Sequence, residues 1–417
     1  MKNVKAKQYI LDFEKLGFGM FVHFGLYSAI GLGEWRADTQ PIEEAEYKAL
    51  AKEFCPDSME DIVLTAKSAG AKYVTLTTKH HDGFALFDTH GLTDFDITHS
   101  GAGRDLVEEF VVACRKHDIV PILYYATFEW WNRDFDDNFD KYLEYLRKNV
   151  EILCTQYGKI GGLWFDGNWR KKGADWKETE LYATIRKYQP EAIIVNNTGL
   201  GGQGKTGNPE IDCVTFERGR ATPINRENAE KYITGEVCDS VNMHWGLAKD
   251  LNYKSTKRLI EELCECRKVG ANFLLNVGPN AKGQVPLMPK AIMQVIGEWM
   301  DMFGEAIYDG KPFWYRSECR NFALRSADYV YVFCFDLCRK GSANVVYMQG
   351  GEGEFAFEDF PCKVEDVHWM DNEERLNFRY EKDALIVDFT GFEYGIDYCV
   401  RVAKAKILEE EQLKESN

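Results

Sequence analysis

The chain has 417 residues, is 45% hydrophobic and 14% aromatic, and carries a formal net charge of −16 with a pI near 5.1. That length exceeds one usual core, so a large domain plus a smaller one is expected, and the negative field would repel nucleic-acid phosphates and anionic lipid rather than attract them. No stretch approaches 18 uncharged apolar residues, and the first 20 residues carry Lys2, Lys5, Lys7, Asp12 and Glu14 without a signal-peptide core, so a soluble cytoplasmic protein is expected, with a homo-oligomer left open.

From Phe18 to about Glu305, short apolar runs alternate with amphipathic segments. The runs are 18–24, 73–78, 119–126, 162–166, 192–197, 213–217, 236–243 and 272–277, which makes eight candidate strands. Helix-like stretches lie between most of them, at 58–69 with Gly70 as a stop, 104–117, 137–157, 176–188 and 255–269 with Gly270 as a stop; the segment 225–232 is a weak helix. Eight strands and intervening helices fit a (β/α)₈ TIM-like barrel, with an open doubly wound sheet as the competing α/β arrangement. No G-x-G-x-x-G follows a strand, and Gly199-Leu200-Gly201-Gly202 leads into a polar loop, so no dinucleotide cofactor is expected.

After Tyr308 the texture changes. Runs at 329–335, 344–348, 364–369 and 384–389 are rich in β-branched and aromatic residues, with Gly350-Gly351-Glu352-Gly353 as a turn signal. The expected division is a barrel over 1–308 and an antiparallel β-sandwich over 309–417, whose charged tail from Ala403 is expected to fray. Many of the twelve cysteines sit in apolar periodic segments, as Cys114, Cys154 and Cys264 do, and read as buried thiols. Cys264-Glu265-Cys266 lacks further ligands at metal spacing.

The strand ends carry polar and aromatic residues suited to a ligand. They are His23 followed by Glu34-Trp35, then Lys79-His80-His81-Asp82-Gly83-Phe84, Tyr124-Tyr125, Trp164 with Asp166, Asn196-Asn197, Glu217-Arg218, Glu236 with Trp245 nearby, and Asn276. Such a set suits a neutral polyhydroxylated ring, since amides, carboxylates and imidazoles pair with hydroxyls and aromatic faces with C–H surface. A metal site is the alternative use of three histidines and an aspartate, but adjacent His80 and His81 on a strand end point to opposite faces, which disfavours joint ligation.

Asp166 closes the run Gly161-Gly162-Leu163-Trp164-Phe165 and is read as a nucleophile, although Asp166-Gly167 is also ordinary turn chemistry. Asp166 and Glu217, on different strand ends, suit a retaining glycosidase that needs two carboxylates roughly 5–5.5 Å apart. Glu217 could instead pair with Arg218 or Arg220.

With these motifs assembled, the chain resembles the α-L-fucosidases of glycoside hydrolase family 29. The matching stretches are Phe21-Val22-His23-Phe24-Gly25, Gly33-Glu34-Trp35, Lys79 through Phe84, Leu163 through Gly167, Cys238 through Gly246, and Asn272 through Pro279. The resemblance implies a catalytic barrel followed by a β-sandwich, and retaining hydrolysis of terminal α-L-fucose from a fucosylated glycan, without metal or other cofactor. It makes Asp166 the nucleophile and His23, Glu34, Trp35, His80, His81, Tyr125, Trp164 and Trp245 the sugar pocket. It points to Glu217 as acid/base, with Glu236 as the alternative. Many relatives carry Asn-Asp-Arg where this chain has Asn196-Asn197-Thr198, so an arginine is absent there. The competing functions are a non-catalytic carbohydrate-binding protein and a metal-dependent barrel hydrolase.

Overall fold

The computed structural model describes residues 6–224, 231–335, 337 and 353–408. Eight strands close into a barrel in sequence order: β1 (Phe18–Val22), β2 (Tyr73–Lys79), β3 (Val120–Ala126), β4 (Gly162–Asp166), β5 (Ile193–Asn196), β6 (Cys213–Glu217), β7 (Thr234–Ser240) and β8 (Ala271–Val277). Every neighbouring pair is parallel, and β8 returns to β1. This settles the choice between barrel and open sheet. The barrel strands are buried almost throughout, which is why they appear in sequence as continuous apolar runs rather than alternating ones. The expected strand over 236–243 begins two residues earlier and ends at Ser240.

The interior is filled by bulky side chains from alternate positions. Phe21, Tyr73, Ile122, Tyr124, Trp164, Val195, Cys213 and Leu274 share one core cluster with Ile10 and Phe13. The last two belong to a helix, Gln8–Leu16, that the apolar pattern did not reveal. Phe13 packs edge-on against Tyr73 at 5.3 Å and accepts a hydrogen bond from Asn272 Nδ2 at its carbonyl, so the helix lies against the strand starts and leaves the C-terminal ends open. Gly19 is required there, because a Cβ would sit 2.4 Å from the Tyr73 ring. The ladder between β5 and β6 is a single pair, Val195 with Cys213, so the long β5–β6 connection is released toward the barrel mouth.

The chain divides into two compact units, 1–255 with 271–297, and 256–270 with 298–417. The helix Thr256–Lys268 therefore groups with the C-terminal sheets. In that unit one antiparallel sheet has the order β13 (Val364–Trp369), β16 (Arg401–Ile407), β11 (Tyr329–Cys334), β10 (Phe322–Arg325), β9 (Lys311–Tyr315). A second has β12 (Gly353–Phe357), β15 (Ala384–Phe389), β14 (Asn377–Glu381). Trp314, Val332, Trp369 and Ala403 from the first and Phe357, Leu385 and Phe389 from the second share one core, which makes a sandwich.

The expectation that the tail frays from Ala403 fails for 403–407, which form most of β16 between β11 and β13. Its lysines misled the reading: Lys404 pairs with Glu305 and Lys406 with Glu365, while Val402, Ala403 and Ala405 are buried. The expected strand 344–348, the turn glycines 350–352, most of the weak helix 225–232 and residues 409–417 lie outside the described residues. Among the described residues no helix is long and apolar enough to cross a membrane.

Candidate active site

The C-terminal ends of the barrel strands surround a cavity of about 640 Å³, a size usual for small-molecule sites. His23, Trp35, His80, Trp164, Asp166, Glu217 and Trp245 all line it. The period-2 alternation of each strand aims Trp164 and Asp166 of β4 inward together. Gly167 then turns the chain at φ +122°, where a Cβ would meet Thr127 Oγ1 at 2.8 Å.

Asp166 is surrounded by donors. Its Oδ1 accepts from Trp169 Nε1 at 2.9 Å and Asn197 Nδ2 at 3.2 Å, and its Oδ2 accepts from the Tyr124 hydroxyl at 3.1 Å. His81 Nε2 stands 3.4 Å from Oδ2 and is not aligned with it as a hydrogen bond. Burial alone would raise the carboxyl's pKa, but the contacts from His81, Trp169 and Tyr124 outweigh it and hold the group below the ordinary value. An ionised, oriented carboxylate is the form that attacks carbon.

Glu217 has the opposite balance. Burial and the nearby Asp166 charge raise its pKa, against the Asn197 amide and Arg218, and so favour a carboxyl that can hold a proton. The two carboxylates share one amide: Asn197 Nδ2 lies 3.2 Å from Asp166 Oδ1 and 2.9 Å from Glu217 Oε2. These two oxygens can therefore be no more than about 6 Å apart. That bound admits the roughly 5–5.5 Å of retaining carboxyl pairs. The amide cannot flip without loss, because Asn197 Oδ1 accepts from Thr215 Oγ1 at 2.9 Å and from the Gly199 amide at 3.2 Å.

The opposite wall is imidazole. Asn276 spends its Nδ2 on Ser240 Oγ and on the Trp245 carbonyl, so its Oδ1 must accept from His23 Nδ1, 2.7 Å away. That leaves His23 Nε2 as an acceptor, and burial lowers the ring's pKa to about 3, so it stays neutral. Burial likewise holds His80 well below the ordinary histidine value, with His81 and His23 adding to the effect. Trp245 stacks on His23 with centroids 5.1 Å apart, and the Arg218 guanidinium lies 4.5 Å from the centroid of the Trp245 ring.

Four expected site residues lie elsewhere than on the cavity wall. Tyr125 is corrected to Tyr124: alternation sends Tyr125 outward, where the Lys79 ammonium sits 4.2 Å over its ring and pairs with Glu129. Glu236 is buried inside the barrel beneath Trp164, where Trp164 Nε1 donates to Oε1 at 2.9 Å and the Tyr73 hydroxyl to Oε2 at 2.5 Å. Burial pushes its pKa up to about 7. Glu34 stands behind the wall, accepting from the Gly246 amide at 2.7 Å and so tying its loop to the segment that carries Trp245. His81 is fully buried beside Asp166, with Nδ1 donating to the Phe128 carbonyl at 3.0 Å. Sequence reasoning missed Trp169 and the bridging role of Asn197. The Asn-Asn pair at a strand end was the available signal for the second. Among the described residues no three His, Cys, Asp or Glu side chains are placed to hold a metal ion.

A family model described as alpha-L-fucosidase matches residues 1–305. The tissue alpha-L-fucosidase of Rattus norvegicus is 30% identical over 341 residues, covering 73% of this chain and 71% of that one. Alpha-L-fucosidase isoenzyme 1 from Paenibacillus thiaminolyticus superposes with a TM-score of 0.81 at 30% identity, covering 96% of this chain and 99% of the other. The fold is also that of a family 29 enzyme from Bacteroides thetaiotaomicron held as a covalent intermediate, with a TM-score of 0.78, 21% identity and 98% of each chain covered.

Proposed function

Because the chain belongs to the α-L-fucosidase family, matched along residues 1–305, we propose that it releases terminal α-L-fucose from fucosylated glycans by a two-step displacement with net retention. Asp166 attacks the anomeric carbon from the face opposite the departing oxygen, while Glu217 gives that oxygen its proton. The resulting β-fucosyl ester on Asp166 is then opened by a water whose proton Glu217 takes back, and the product is α-fucose. The observation that carries this reading is the single Asn197 amide bridging the two carboxylates inside the cavity.

The remaining wall suits the sugar. His23 offers a bare Nε2 to a ring hydroxyl, and the Nδ1 of His80 is buried without a hydrogen-bond partner among the described residues. Trp35, Trp164 and Trp245 provide faces for C–H surface and for the methyl at C5 of fucose. Hydrolysis of an aryl α-L-fucoside, followed by proton NMR of the anomer formed first, tests the reading. Early accumulation of α-fucose is expected. β-Fucose appearing first, or no hydrolysis between pH 4 and 8, would reject it.

A further inference from the structure

Past the two carboxylates the cavity continues between the connections that follow β4 and β5. Its outer wall includes Trp169, Lys172, Glu178, Asn196, Lys205 and Asn208. Glu217, the group assigned to the leaving oxygen, stands on β6, directly after the connection that carries Lys205 and Asn208. A ring on the far side of the scissile bond would therefore face this wall. Trp169 is 39% exposed, and its Nε1 bond to Asp166 fixes the indole so that it can offer a flat apolar face there.

The charges on this wall are uneven. Lys171, next to Lys172, and Lys177, further along the same connection, reach carboxylates at Asp136 and Asp140. Lys172 and Lys205 are exposed and, among the described residues, neither has a carboxylate within ion-pair distance. The one acidic side chain among the wall residues just named, Glu178, has its Oε1 occupied by Asn168 Nδ2 at 2.7 Å and Asn196 Nδ2 at 3.1 Å. Burial also raises its pKa, against the Asn168 hydrogen bond. In a chain of net charge −16, two exposed ammonium groups lining one cavity with no carboxylate at ion-pair distance among the described residues are an exception to the surrounding field.

We propose that this outer subsite selects substrates whose sugar next to the fucose bears an anionic group, carboxylate or sulfate, held between Lys172 and Lys205 while its ring lies on Trp169. The proposal rests on the fucosidase reading above and names the aglycone for that same site. Exposed ion pairs are individually weak and screened by salt, so the selection should be modest and ionic-strength dependent.

The test uses the purified full chain and three aryl α-L-fucosides differing only in a meta substituent: carboxamide, carboxylate and sulfonate. At low ionic strength kcat/KM for an anionic aglycone should exceed that for the carboxamide by about three- to tenfold, and the ratio should fall toward one at high salt. The double exchange Lys172→Gln and Lys205→Gln should bring the ratio to one at low salt as well. A larger ratio for the sulfonate would identify sulfated sugars as the source of the anion, and a larger one for the carboxylate would identify uronate-type sugars. Hydrolysis of all three with a ratio near one overturns the proposal while leaving the fucosidase reading intact. No hydrolysis of any of the three removes the fucosidase reading and this proposal with it. A preference that survives the double exchange would remove the two lysines as its cause.

Discussion

On one side of the cavity, His23 and His80 are buried against Phe21, Tyr124 and Trp245; on the other, Asp166 and Glu217 are almost as enclosed. The same physical cause, loss of water, acts on both walls and has three different outcomes. The imidazoles meet few acceptors and go neutral, His23 with a pKa near 3. Asp166 meets three hydrogen-bond donors and the edge of His81, and keeps its charge. Glu217 shares one of those donors and faces a like charge, so its proton is held more tightly. Burial therefore does not decide ionisation alone in this site: it prevails at the imidazoles and at Glu217, and is outweighed at Asp166 by the donors aimed at that carboxylate.

The sharpest way to break the contrast is to remove the charge that the donors sustain. Asp166→Asn keeps shape and should lower kcat on an aryl α-L-fucoside by several orders of magnitude with the fold intact by circular dichroism. Asp166→Gly adds a stereochemical readout. Azide can then enter on the face the carboxylate vacated, and β-fucosyl azide is the expected product. A folded Asp166→Asn protein with near-normal turnover would end the assignment.

Removing the other carboxylate should cost somewhat less, and in a way that depends on the leaving group. General acid catalysis is worth about 10²–10⁴-fold, and it matters for a sugar alkoxide more than for an activated phenolate. Glu217→Ala should therefore lose that much on a natural fucoside and spare the first step on a nitrophenyl fucoside. Azide should accelerate the stalled second step by taking the place of water, which gives α-fucosyl azide. Formation of the β anomer by this variant, or azide rescue by Glu236→Ala instead, would take the role from Glu217.

The amide that joins the two should matter by about tenfold, chiefly through pH. Activity requires Asp166 ionised and Glu217 protonated, so it should rise with pH through the first group's pKa and fall through the second's. Asn197 donates to both charged forms and lowers both pKa values. In Asn197→Ala both limbs of the kcat/KM profile should move to higher pH. A profile lower in height but unmoved would mean that Asn197 only fills space.

Much of this arrangement could be read before any fold was known, and what could not be read has specific causes. The barrel was visible because buried parallel strands are continuous apolar runs, and Asp166 because a run of that kind ends on it. Tyr124 and Tyr125 look alike in sequence; only the register of β3 against β4, which pairs Tyr124 with Trp164, decides which faces the pocket. Trp169 was hidden in a polar loop, since its importance comes from one hydrogen bond to Asp166 and not from any pattern. The strand Arg401–Ile407 was hidden by lysines that occupy its solvent-facing and paired positions.

Glu236 is where sequence left two candidates, and it gives the smallest expected effect on turnover. Trp164 Nε1 donates to its Oε1, and the Tyr73 hydroxyl, which donates to the ionised Oε2 at 2.5 Å, accepts from it once the carboxyl is protonated. Glutamine reproduces that pattern without a titrating proton, so Glu236→Gln should keep kcat/KM on natural and activated fucosides within about threefold. Its mark should be on stability. With a folded pKa near 7 against 4.5 for an ordinary glutamate, the native state binds the proton more tightly than the unfolded chain. The stabilisation this gives the wild type is complete below pH 4.5 and is lost as pH rises through about 7, a change on the order of 3 kcal/mol. The variant has no such loss. Urea unfolding at pH 5 and pH 8 should therefore show a stability difference, variant minus wild type, that grows in the variant's favour at the higher pH. A difference that does not change with pH would mean that Glu236 is ionised in the folded barrel. A Glu236→Gln protein as inactive on natural fucosides as Glu217→Ala would place this carboxyl in the chemistry.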